Sequence, residues 1–118
     1  MKIAIPVENG YLSSHFGHCE SFYIATVENG QIVNSETVLP PEHGEGIFPT
    51  FLANNGVNVV IAGGMGPRAV NFFNQFNIDV YIGAEKKKPE ELINDLIKGT
   101  LKTTGESCPG GHMHNCHK

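Results

Sequence analysis

Residues 57–68 read Val57-Asn58-Val59-Val60-Ile61-Ala62-Gly63-Gly64-Met65-Gly66-Pro67-Arg68. The first half is a β-branched apolar run of the kind a strand needs when both its faces are buried. The glycines then allow a tight turn, and Pro67 suits the first position of a helix because its missing N–H would find no partner there. Strand, glycine turn and helix in that order are the core of a β-α-β unit. The chain is therefore read as an α/β protein rather than as a bundle or a sandwich.

Outward from this stretch the other elements follow. Residues 2–7 alternate, with Ile3, Ile5 and Val7 on one face, and read as a first strand ending near Pro6. Residues 21–28 and 31–39 read as two more strands, joined by Asn29-Gly30 and stopped by Pro40-Pro41. Asn-Gly supplies the pair of positive φ angles that a two-residue type I′ hairpin demands. Ile47, Phe48, Phe51 and Leu52 recur at helical spacing, with Pro49 in the first turn and Gly56 at the C-terminal cap. The helix opened by Pro67 carries Val70, Phe73 and Phe76, residues 78–82 form the last strand, and Pro89 opens a third helix. That helix buries Leu92, Ile93, Leu96 and Ile97 and stops at Gly99.

The resulting order is β-β-β-α-β-α-β-α, a hairpin-linked antiparallel part joined to a parallel β-α-β-α part with right-handed crossovers. It resembles the ribonuclease H-like three-layer fold. The expected sheet is mixed and five-stranded, in the order 3-2-1-4-5 with strands numbered along the chain, and has helices on both faces. Residues 1–100 make one domain. From there the apolar periodicity disappears, and residues 101–118 are read as a flexible Cys/His-rich tail.

Composition removes several function classes. Hydrophobic residues make up 40% of the 118, which suits a packed core. A net charge of −4 lacks the basic footprint of a nucleic-acid binder, and Lys86-Lys87-Lys88 is read as a solvated loop. No segment approaches the roughly 20 apolar residues of a membrane span, and no secretion signal is read at residues 1–7, so a cytoplasmic setting is expected. Three cysteines, an odd number, then fit reduced thiols better than a disulfide framework.

The chemistry-bearing residues fall in three segments. Ser13-Ser14-His15-Phe16-Gly17-His18-Cys19 places two imidazoles and a thiol within five residues, and these are the groups that borderline and soft metals select. Phe16 is expected to pack inward. In the second segment, Gly64, Met65, Gly66 and Arg68 combine close backbone approach, helix N–H groups and a permanent positive charge. Two readings of it stand, an anion site or a glycine turn with a solvated Arg68. The third is the tail, where Cys108, His112, His114, Cys116 and His117 could bind zinc or another divalent metal without help from the fold. His43, among prolines, glycines and acids, is read as solvated.

Topology joins the first two segments. If strands 1 and 4 are parallel neighbours, both segments leave the sheet at one edge, at the crevice where open α/β sheets bind ligands, and Gly83-Ala84 lines the same rim. Thiolate, imidazole and an electropositive helix start suit a cluster carrying negative charge better than a bare cation. Two-metal nuclease chemistry is disfavoured, because the first and fourth strands bring no converging carboxylates.

The pair of motifs S-x-H-F-G-x-C and G-G-M-G-P-R-A resembles the dinitrogenase iron-molybdenum cofactor biosynthesis family, over roughly residues 1–100 and as a small stand-alone member. That resemblance implies a ribonuclease H-like fold and a non-catalytic role in binding or carrying an iron–sulfur or iron–molybdenum-type cluster. It also implies partners that donate and receive the cluster, and a site drawing on His15, Cys19 and the Met65–Arg68 turn. The alternative is a metal-trafficking or metal-sensing module that binds zinc, nickel or copper through the tail.

Overall fold

The computed structural model describes residues 1–13, 16, 19–41, 47–101 and 103 of the chain. Among these residues, six strands and three helices follow one another as β1 (Lys2–Glu8), β2 (Tyr11–Leu12), β3 (Ser21–Glu28), β4 (Gln31–Val38), α1 (Ile47–Asn54), β5 (Val59–Ala62), α2 (Pro67–Gln75), β6 (Asp79–Ile82) and α3 (Pro89–Lys98). The sheet runs β4-β3-β1-β5-β6, with β2 paired to β1 off that path. The β1–β3 and β3–β4 pairs are antiparallel, and β5 is parallel to both β1 and β6.

Two apolar layers sandwich the sheet. On one face Ala4, Phe22, Ile24, Val60, Ala62 and Val80 pack with Phe48 and Leu52 of α1 and Phe73 of α2. On the other, Ile3, Ile5, Ala25, Val27, Val59 and Ile61 pack with Leu92 and Ile93 of α3. The alternation of Ile3 and Ile5 against Ala4 is the period-2 pattern of a strand sending successive side chains to opposite faces. Full burial of a side chain such as Ile93 contributes roughly 1.5–3 kcal/mol, so these layers are the main source of stability.

Three expectations need correction. The sheet has six strands rather than five, because Asn9-Gly10, at φ 57° and 83°, turns β1 back on itself to form β2. These are the same positive angles that close the β3–β4 hairpin at Asn29-Gly30, at φ 55° and 76°. Secondly, β1 continues through Pro6 to Glu8. The β1–β5 register covers Ile3↔Val59 and Ala4↔Val60 and stops there, so on that edge no ladder bond asks for the N–H that Pro6 lacks. Thirdly, Ile47 and Phe76 are 41% and 39% exposed. Phe76 follows the end of α2, just before the chain reverses through Asn77 at φ 61°, and so leaves the stripe that Val70 and Phe73 bury.

Candidate functional site

Both edges of β1 are used, which opens the site. β3 pairs along one edge from Lys2 to Val7, so β5 and β2 share the other. β5 holds the Ile3–Ala4 part, and β2 takes over at Val7 and Glu8. From this fork the chain leads one way to β3 and, through β5, the other way to β6. That is the reversal of strand order beside which open α/β sheets leave a crevice at their carboxyl ends.

The segment between β2 and β3 is pinned into the fork by backbone bonds. The Ser13 N–H donates to the Pro6 carbonyl at 2.9 Å, and the Glu20 N–H to the Val7 carbonyl at 2.9 Å. The Phe16 N–H donates to the Gly64 carbonyl at 3.0 Å and so ties this segment to the glycine turn after β5. The Phe16 ring is buried, as its apolar character suggested, with centroids 5.8, 5.7 and 5.5 Å from Phe22, Phe48 and Phe73. A third segment joins at the same edge, where the Gly83 N–H donates to the Ala62 and Gly63 carbonyls at 3.0 Å each. The Ala84 N–H reaches the Ala62 carbonyl at 3.2 Å.

Of the residues read as site candidates, Cys19 and Met65 are half-buried and pack against the same apolar cluster as Phe16. Gly64 accepts the bond from Phe16, while Gly66 and Arg68 are exposed. Gly66 caps α2 at φ −74° and ψ 161°, with no side-chain cap and no acidic residue in the first turn. The positive end of the helix dipole therefore faces the rim beside the Arg68 charge. His15, His18, Cys108, His112, His114, Cys116 and His117 lie outside the described residues, as does His43. Among the described residues, no group of three or more His, Cys, Asp or Glu side chains is placed to hold a metal ion.

The Cys19 thiol is free and its pKa is raised to about 11. Burial is the larger cause; a backbone hydrogen bond pulls it back in part, and the Glu8 carboxylate pushes it up further. Glu8 is thus a functional neighbour that the sequence reading missed. The only available signal was its place at the end of β1, directly before the Asn9-Gly10 turn. At pH 7 a thiol of this kind is ionised to the order of one part in ten thousand.

These features match known proteins. The model of the family described as dinitrogenase iron-molybdenum cofactor matches residues 1–99. The chain belongs to that family. It is 42% identical over 107 residues to protein MJ0580 of Methanocaldococcus jannaschii, covering 86% of this chain and 90% of that protein. The crystal structure of PH0822 superposes with a TM-score of 0.83 at 31% identity, over 90% of this chain and 96% of that one. The apo form of the orange protein from Desulfovibrio gigas shares the fold, with a TM-score of 0.75 at 22% identity over 88% and 92% of the two chains.

The donor set can be weighed against a metal cluster as the family's cargo. Clusters held permanently are gripped by several thiolates, commonly four. The described crevice has one thiol that keeps its proton, beside an electropositive helix start and a turn open to close approach.

Proposed function

We propose that this chain holds an iron–sulfur or iron–molybdenum-type cluster in the crevice and passes it on, without catalysing a reaction of its own. Membership of the family implies a role in iron–molybdenum cofactor biosynthesis or carriage. The observation that carries the finer reading is the 3.0 Å bond from the Phe16 N–H to the Gly64 carbonyl, which brings the metal-type segment beside the glycine turn. Cys19 gives up its proton to become a cluster ligand, and His15 and His18 extend the donor set. Gly64, Met65 and Gly66 let the cluster approach the backbone, and Arg68 with the start of α2 offsets its negative charge. Few protein ligands and an open rim favour release to a recipient protein after delivery by a donor. The scaffold, in this reading, is a ribonuclease H-like sheet used for carriage in the cytoplasm.

Anaerobic reconstitution with ferrous iron and sulfide tests this. The full chain should develop visible charge-transfer absorption, Cys19→Ala should weaken it, and Arg68→Glu should lower the amount of cluster retained through desalting. No visible absorption under any reducing condition would overturn the reading.

A further inference from the structure

The two edges of the sheet are guarded unequally. At one end of the strand order stands β6, four residues long. So short a strand offers little backbone to an incoming chain. At the other end stands β4, eight residues long, and no described strand pairs with its outer edge. Six of its eight residues are exposed. Ile32 and Val38, the two that are half-buried, pack against the apolar layers on opposite faces of the sheet. A row of main-chain donors and acceptors in such a place is a template for another strand.

The devices that blunt an edge are confined here to one end of β4. Gln31–Val38 contains no proline and no lysine, and Glu36 is its one charge. The pairing with β3 shifts between Thr26 and Val27, which leaves Val33 as an extra residue with no register partner. A bulge of this kind bends and twists the strand. Beyond it the register is regular from Asn34 to Val38, and Leu39 follows, 78% exposed. Pro40, which has no donor, closes the stretch.

We propose that this outer edge, from Ser35 to Leu39, pairs antiparallel with the same stretch of a second copy of the chain. A strand added here meets two mostly polar faces, so it gains by main-chain bonds rather than by burying a large apolar side. A loose peptide would lose much of that gain in becoming ordered, whereas β4 of a second copy is already held as a strand by β3. Charge selects the register. A two-fold axis through the sheet sets residues of one face opposite each other, so the axis passes through a residue. Centred on Glu36 it would oppose two carboxylates, and centred on Ser35 it would run into the bulge at Val33. Centred on Thr37 it sets Thr37 against Thr37, Glu36 against Val38 and Ser35 against Leu39, with no like charges opposed. The two sheets then become one. β3 stands between β4 and β1, so the crevice beside β1 and β5 stays open in both copies.

Sedimentation velocity of the full chain, with chelator and reductant present to suppress metal- and disulfide-linked association, tests this. A strand pair is smaller than a standard interface, so a reversible dimer with a dissociation constant on the order of 10 µM is expected. Thr37→Lys, at an exposed position, should weaken it at least about tenfold by setting two ammonium groups opposite each other. Wild type that stays monomeric up to roughly 1 mM would overturn the proposal, as would a dimer that Thr37→Lys leaves equally stable. A second measurement does not depend on that variant. In a Cys19→Ala/Cys108→Ala/Cys116→Ala background, Thr37→Cys should form a disulfide-linked dimer under mild oxidation faster than Gln31→Cys, which lies on the far side of the bulge. Crosslinking no faster at residue 37 than at residue 31 would overturn the proposal too.

Discussion

Burial and the Glu8 carboxylate hold the Cys19 thiol protonated up to about pH 11, so its nucleophilicity is gated by pH. Alkylation of Cys19 by iodoacetamide, followed by peptide mass spectrometry, should accelerate by roughly tenfold per pH unit from pH 7 to 10. A rate that levels off near pH 8.5, the ordinary thiol value, would contradict this. Glu8→Gln removes the carboxylate charge and should speed the reaction at every pH below the plateau. The linkage has a definite sign. The folded pKa lies above the unfolded one, so the Cys19 contribution to stability is intact below about pH 8.5 and is lost as pH climbs toward about 11. The cysteine itself was legible in the sequence as a metal-type residue. Its protonation was not, since desolvation and the approach of Glu8 exist only after the chain has folded.

At the scale of elements, the junction of the first loop with the glycine turn depends on one aromatic ring. Phe16→Ala removes a buried side chain that touches Phe22, Phe48 and Phe73, and should cost about 3–5 kcal/mol in urea unfolding. The same variant, at temperatures where it stays folded, should load less cluster, because the loop loses its anchor beside Gly64. A loss below about 1 kcal/mol would mean that the ring does not anchor the loop. Local signals served well wherever backbone chemistry decides an element. Asn29-Gly30 marked its hairpin, Pro67 and Pro89 marked helix starts, and Gly99 marked a helix end. The same Asn-Gly signal stands at residues 9–10, but the strand it creates, Tyr11–Leu12, is too short to show periodicity. Pro6 marks a strand end on local grounds, because it lacks a donor. Only the parting of β5 from β1 shows why the strand tolerates it.

For the whole molecule, the site follows from connectivity rather than from any one motif. Three segments far apart in sequence, around Phe16, Gly64 and Gly83, are fastened to one another by main-chain bonds at a single edge of the sheet. Both faces of that sheet are occupied by apolar layers, and Cys19 and Met65 pack against one of them. The family match over residues 1–99 covers all three segments. The most direct test of cluster carriage is elemental analysis of the full chain isolated anaerobically from its own cells. Iron or molybdenum together with acid-labile sulfide, in proportion to protein and reduced in Cys19→Ala, is the predicted result. Protein that carries zinc alone, or no metal and no labile sulfide, would contradict the account.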